Sequence, residues 1–317
     1  MLARHAEDLF WIGRYLERAE DTARLLDVTH QTALEGGARP SEELWRELLE
    51  ILYLDDEFSD DVSPRSVTRF LVADLANPGS LVSIVARARE NARGAREWLS
   101  SEFWEAVNAL HLELAPDRLA SELDRSPYAV FRQVKVGCQA LSGTIDASVP
   151  RAEGYHFLVL GVALERAMIT ARVTKVWQRR LGGFAGPAAF PEWAKLLKSL
   201  SAYEAYLREF RASMQPERVL EFLLQDPRLP RSVFYCLDLA ERQIEAIGDD
   251  TTGDRSRRAV GRLRAELEFS EPSRLDRTAI GAYLEHVEEA IGELPPVVED
   301  EFFRLAADAA IHAYEAF

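Results

Sequence analysis

Cysteine is scarce in this chain: 317 residues contain two, Cys138 and Cys236. Both fall inside helical apolar patterns, so buried thiols in a reducing cytoplasm are expected rather than a disulfide. The six histidines, His5, His30, His111, His156, His286 and His312, are scattered, and with the cysteines they form no spaced metal motif. No glycine-rich loop of the P-loop or dinucleotide type is present, which argues against ATP binding by a familiar route and implies no cofactor. Basic charge is also short, with 38 Lys and Arg against 53 Asp and Glu for a net charge of −15. Such a chain has no domain-wide field to attract phosphate backbones, so a nucleic-acid partner is disfavoured. No apolar run approaches the roughly 20 residues of a membrane span. The first residues, Met1 to Asp8, carry acids where a secretory signal carries an apolar stretch. A cytoplasmic protein is expected, with no membrane partner.

What the chain does have is helical periodicity. Hydrophobic residues make up 47% of it and charged residues 29%, enough to bury a substantial core. Apolar positions recur at three and four and period-2 runs are lacking, so the fold class is all-α. A first helix is expected from Ala3 to Leu34, stopped by Gly36-Gly37 and Pro40, and a second from Ser41 to about Leu54. The acidic run Asp55 to Asp61 reads as a solvated loop, with divalent-cation binding the weaker reading. Ser63-Pro64 starts a further helix, Ser80 caps one reaching Leu99, and Ser126-Pro127 opens one to Ser148. A second long helix runs from Tyr155 to Leu181, before a loop through Gly186-Pro187 to Pro191. Helices then follow at about 192–213, 216–224, 231–247, 255–268, 276–293 and 298–316. Short connections favour one helical-bundle body, a single domain over 1–317.

One stretch occurs twice. Residues 10–28 reappear as residues 158–176, with nine of nineteen positions identical at an offset of 148, among them Gly13/Gly161, Glu17/Glu165, Arg18/Arg166 and Arg24/Arg172. Phe70-Leu71, Asp74, Pro78 and Ser80 match Phe222-Leu223, Asp226, Pro230 and Ser232 at offset 152, and Ala106-Val107 matches Ala259-Val260 at offset 153. A slowly growing offset indicates two tandem copies of one helical unit, about 1–150 and 151–317, related by a pseudo-twofold axis.

On the repeated helix Gly13, Glu17, Glu20 and Arg24 share one stripe, matched by Gly161, Glu165, Met168 and Arg172. A mid-helix glycine costs about 1 kcal/mol relative to alanine, so its recurrence points to a backbone passing close by. The wide apolar and aromatic surroundings predict burial, and each buried Glu then needs an Arg. The two long helices are expected to pack antiparallel about an axis near Glu20 and Met168, with Glu17 facing Arg172 and Glu165 facing Arg24. Arg14 and Asp21 become Val162 and Ile169 in the second copy. That asymmetry gives the first helix extra charge and a candidate anion or carboxylate pocket lined by Arg14, Arg18 and Arg24. A second basic face, Arg89, Arg93 and Arg96 with Glu90, could pair with acids on a neighbour or with Glu17 and Asp21. Trp98 and Trp104 read as core, and His156 as a capping or core-edge residue.

The opening Leu2-Ala3-Arg4-His5-Ala6-Glu7-Asp8-Leu9-Phe10-Trp11-Ile12-Gly13-Arg14-Tyr15-Leu16-Glu17-Arg18-Ala19-Glu20 closely resembles that of the bacterial alpha-E family, all-helical proteins with a recurring Glu-Arg motif. Ala88 to Arg96 with Ser101-Glu102-Phe103-Trp104, His156-Phe157-Leu158 leading to Leu164-Glu165-Arg166-Ala167, and Pro230-Arg231-Ser232-Val233 leading to Ala240-Glu241-Arg242 are similar to the same family. Met168-Ile169 and the acidic stretch near Asp55 to Asp61 depart from it. The resemblance implies a circularly permuted ATP-grasp protein as partner, often with a transglutaminase-like protease nearby, in a setting of amide-bond formation or trimming.

Three readings follow. The first is a non-catalytic or co-catalytic helical partner of an ATP-grasp peptide or amide ligase, binding a carboxylate-bearing substrate at an Arg/Glu face drawn from Arg14, Arg18, Arg24, Arg93, Glu165, Arg166 and Arg172. The second is an enzyme in its own right, with Glu17 and Asp21 as general acid or base. The third is a self-associating scaffold, a homo-oligomer.

Overall fold

A computed structural model of the chain describes residues 1–35, 41–181, 190–211, 214–248 and 253–304. Among these residues every regular element is a helix. They gather into two compact units. One, here the N-terminal unit, comprises Tyr15–Val149 and Ala194–Ser201; the C-terminal unit comprises Met1–Arg14, Pro150–Trp193 and Ala202–Phe317. The expected halves differ from these units in two places: the first fourteen residues belong with the second half and 194–201 with the first.

The N-terminal unit holds most of α1 (Ala3–Leu34), then α2 (Ser41–Leu52), α3 (Pro64–Val72), α4 (Leu81–Gly94), α5 (Ser101–Glu113), α6 (Pro116–Arg125) and α7 (Pro127–Ser148). Ser63 caps α3 in a full capping box with Ser66, and Pro64 supplies the fixed φ of the first turn. α5 packs against both α4 and α7. Its core includes Trp45, Phe103 and Phe131, all fully buried. One boundary differs from the periodicity. α4 ends at Gly94, not Leu99, because the chain turns through a 3-10 segment, Arg96–Trp98, and leaves Leu99 extended so that Ser100 can cap α5. α5 and α6 fill the stretch between Leu99 and Ser126, where the periodicity predicts no helix. The Asp55 to Asp61 segment is an exposed, non-helical turn region, apart from half-buried Phe58.

The C-terminal unit is organised on α8 (Glu153–Leu181), which buries residues on nearly every side. α9 (Phe190–Ser199) runs from this unit into the other, and α10 (Tyr203–Phe210), α11 (Pro216–Gln225), α12 (Val233–Ile247), α13 (Asp254–Phe269) and α14 (Arg277–Val298) follow. α12 and α14 pack along α8, and α13 lies against both. The single helix expected over 192–213 is two, broken where Ser201 turns left-handed at φ 52°. α14 runs past its expected end near Glu293 and carries Pro295 and Pro296 inside it. Each proline removes one ladder donor, and the chain relaxes into a π-helical turn over Glu299–Arg304. Glu301 of that turn is buried and accepts from the backbone N–H of Gly253, Arg255 and Ser256 and from the Ser256 hydroxyl, closing the N-terminus of α13. Most of the helix expected over 298–316 lies outside the described residues.

The first turns of α1 lie against α8, and they run parallel to it. The α-amino group of Met1 meets Glu153 at 3.1 Å and Arg14 meets Glu165 at 2.8 Å, with the Gly13/Gly161 contact between them. Contacts that rise together along both helices exclude the antiparallel arrangement expected from the repeat. The two backbones meet at the two glycines. A Cβ on Gly13 would stand 2.1 Å from the Leu158 carbonyl oxygen and 3.0 Å from the Val162 nitrogen. A Cβ on Gly161 would stand 2.1 Å from the Phe10 oxygen and 3.2 Å from the Arg14 nitrogen. Each glycine therefore meets the residues three before and one after the other. Only a residue without a Cβ admits backbone this close.

Candidate functional site

The charged residues singled out in the sequence are divided between the two units. In the N-terminal unit, Glu17, Glu20, Asp21 and Arg24 of α1 are all buried, Glu17 and Asp21 at 3% exposure. One turn apart on a helix, they bring carboxylates and guanidinium into reach: Arg24 donates to Glu20 and to Asp21. From α7, the Gln139 amide donates to Glu20 at 3.2 Å. Cys138, on the same helix, is a fully buried free thiol. Burial, with the Glu20 and Glu17 carboxylates adding to it, pushes the Cys138 thiol well above its usual range. A turn further along α1, Asp27 accepts from Lys135 of α7 at 2.5 Å and from Gln31 at 2.8 Å. Arg18 is half-exposed.

In the C-terminal unit the Arg14 Nε donates to Glu165 at 2.8 Å, and its guanidinium lies 4.6 Å from the Trp11 ring centre and 5.8 Å from that of Phe10. Aromatic packing and a carboxylate together hold the fork in one orientation. Burial raises the Glu299 carboxyl above its ordinary range, against the pull of Arg14. Arg172 donates to Glu288 of α14 at 3.2 Å, and Lys175 meets the other oxygen of that buried carboxylate. Arg166 reaches the Pro230 carbonyl at 3.4 Å. Arg93 stands apart on α4 in the N-terminal unit, 67% exposed and bonded to Glu90 at 2.9 Å.

Trp98 and Trp104 are half-exposed, not core. Trp104 carries the Arg96 and Arg89 guanidiniums at 4.7 and 5.5 Å from its ring centre. His156 sits at the edge of the C-terminal core, its Nδ1 2.9 Å from the Gln243 side-chain oxygen. Among the described residues no three His, Cys, Asp or Glu side chains are grouped to hold a metal ion, and no helix is long and apolar enough to cross a membrane.

Sequence reasoning missed the partners on the opposing helices: Lys135 and Gln139 on α7 and Glu288 on α14. A signal for them existed. Lys135 and Glu288 stand 153 apart, the offset at which Ala106-Val107 matches Ala259-Val260. Asp27 and Lys175 stand 148 apart, the offset of the long helices. At those offsets the ion pair Asp27–Lys135 lines up with Lys175–Glu288, with both signs exchanged.

These features define an all-helical protein framed by two Glu-Arg helices. The chain belongs to the Alpha-E family, described as a predicted alpha-helical domain with a conserved ER motif, whose family model matches residues 1–303. An uncharacterised protein of Mycobacterium bovis is 28% identical over 301 residues, covering 87% of this chain and 33% of the relative. Uncharacterised proteins of two Mycobacterium tuberculosis strains are 28% and 27% identical over the same length. The chain spans about a third of the length of these curated relatives. No solved structure matches it.

Proposed function

We propose that this protein is a helical partner or co-catalytic subunit of an ATP-grasp peptide or amide ligase, to which it brings a carboxylate-bearing substrate. The observation that carries this reading is the state of its α1 and α8 charges. Arg14, Arg24 and Arg172 are each held by carboxylates of their own unit, and Glu17 and Asp21 are 3% exposed. Charges so buried and so paired specify packing, and a frame of this kind suits a protein that docks to another. The family match supports the same reading through the resemblance that implies the ligase. The relatives support it too, since in them the matched region is one third of a longer chain. The rival reading, acid–base chemistry by Glu17 and Asp21, gains nothing from side chains so little exposed.

The two halves are copies of one ancestral unit. Supporting this, Asp74 accepts from the Ala76 N–H at 2.8 Å, and Asp226, 152 residues on, accepts from the Arg228 N–H at 2.7 Å. Ser80 caps α4 through Ser83, and Ser232 caps α12 through Tyr235, again 152 apart. The Glu20–Gln139 contact corresponds to Met168 lying against Gly292.

The test is co-expression with the ATP-grasp protein and an ATP-dependent ligation assay with and without this chain. Co-purification and a changed rate or product are expected. An unchanged rate and product, with no co-purification, would remove the reading.

A further inference from the structure

Three polar groups near the C-terminal end of α1 stand without a hydrogen bond among the described residues. Trp45 of α2 is fully buried with its indole N–H unpartnered, and Thr68 of α3 is 4% exposed with its hydroxyl unpartnered. His30 of α1 is half-exposed and touches Trp45 and Phe131 edge-on, with ring centres 6.5 and 6.2 Å away, and makes no hydrogen bond there. Buried polar groups in folded proteins are nearly always bonded, so the unpartnered Thr68 hydroxyl calls for a reason. Thr68 lines a groove of about 420 Å³ together with His30, Arg65, Arg69, Leu123 and Pro127. Its size lies within the usual range of small-molecule sites, roughly 300 to 1,000 Å³.

Four helices build this groove. α1 supplies His30, α6 and α7 supply the apolar wall of Leu123 and Pro127, and α3 supplies three polar residues at positions 65, 68 and 69, one turn apart on one face. The two arginines differ. Arg65 is held by Asp124 through bonds of 3.0 and 3.2 Å. Arg69 forms no ion pair among the described residues, so its fork is open to a ligand. The acids facing this region are Asp124 on the rim and, along the neighbouring groove that both arginines share, Asp60 and Asp74.

We propose that this groove binds a small carboxylic acid with an adjoining amide, of the class of a short peptide C-terminus or an acylated amino acid. Arg69 takes the carboxylate through its planar fork, His30 and Thr68 meet the amide, and the apolar part lies on Leu123 and Pro127. A doubly charged phosphate fits less well, because one open cation would have to outweigh three nearby carboxylates. The site is distinct from the Arg/Glu face of α1, and it stands whether or not the chain partners a ligase.

The test is an NMR titration of the full chain carrying labelled histidine, with His30 assigned through His30→Gln. The probes are N-acetyl-L-leucine, N-acetyl-L-leucinamide and inorganic phosphate. N-acetyl-L-leucine should shift the His30 signals saturably, while the amide and phosphate should bind about tenfold more weakly or not at all. Arg69→Ala, at an exposed position, should weaken N-acetyl-L-leucine about tenfold. Thr68→Val replaces an unpartnered hydroxyl by a methyl of the same shape; it should leave stability unchanged or raised and still weaken binding several-fold. No saturable shift up to about 20 mM probe overturns the proposal. So does equal affinity for phosphate, or an Arg69→Ala protein that binds as the wild type does.

Discussion

Alanine is the better helix former, yet Gly13→Ala should destabilise this protein. The added Cβ would lie 2.1 Å from the Leu158 carbonyl oxygen, whereas ordinary contact begins near 3.4 Å. The gap must open by about 1.3 Å, and the obstacle is helix backbone, which cannot swing aside as a side-chain end can. Overpacking of this kind costs about 1–3 kcal/mol and at times more, against a gain of about 1 kcal/mol from helix propensity. The backbone position of the clash places the substitution at the upper end, so a net loss of about 2 kcal/mol is expected from urea unfolding midpoints at unchanged slope. Gly161→Ala, whose Cβ meets the Phe10 oxygen at the same 2.1 Å, should match it. The double variant should cost less than the sum, since once the helices part for one methyl they have parted for the other. Gly143→Ala is the control: no atom lies within 4 Å of its Cβ, so it should stabilise by about 0.5–1 kcal/mol. If Gly13→Ala proved neutral or stabilising like the control, the tight crossing would be refuted.

Other substitutions probe the charges. Asp27→Lys should cost about 3–5 kcal/mol by leaving two cations at a buried site, and adding Lys135→Asp should restore most of it; a double variant no better than the single one would sink the pairing. Burial would raise the Glu301 carboxyl, but the Ser256 hydroxyl and the N–H groups of Ser256, Arg255 and Gly253 outweigh it and hold it below its ordinary range. Its contribution is therefore full above the unfolded carboxyl's range and lost as the pH falls through the folded one. Glu301→Gln should cost about 0.5–2 kcal/mol at neutral pH and flatten the acid limb of a stability-versus-pH curve, whereas an unchanged limb would show that the cap carries no such linkage. Cys138, buried and with its thiol pushed well up, should react with a thiol reagent at neutral pH only after denaturation; rapid native labelling would contradict the burial.

Local rules of capping and spacing read the helices well where a residue type had one physical outcome. Ser63-Pro64 and Ser126-Pro127 start helices where expected because proline at the first turn has a preset φ and no donor to lose. Gly13 and Gly161 foretold a close backbone because nothing else explains glycine twice at mid-helix. The same rules failed where tertiary contact decided. Pro295 and Pro296 should have ended α14, but the buried Glu301 beyond them gains four hydrogen bonds by continuing the turn. Helix direction was not legible, since a stripe of Glu and Arg packs equally well in either sense until Met1–Glu153 and Arg14–Glu165 choose one. The groove at His30 was invisible because its residues come from four helices, and only Arg65, Thr68 and Arg69 share a helical spacing.

The exchanged ion pair bears on what the other buried charges are for. Asp27 and Lys175 occupy matching positions on α1 and α8, and their partners Lys135 and Glu288 occupy matching positions on α7 and α14. A carboxylate that served as an acid or base could not become an ammonium and keep its task. What survives the exchange is a neutral pair at a fixed place between two helices, which is a requirement of packing. Glu17 and Arg24 keep their identities in Glu165 and Arg172; Arg24 is held by Glu20 and Asp21 of its own helix, and Arg172 meets Glu288 of α14. Under the proposed binding role, the groups left without a partner are Arg69, His30 and the buried Thr68 hydroxyl, which share one groove.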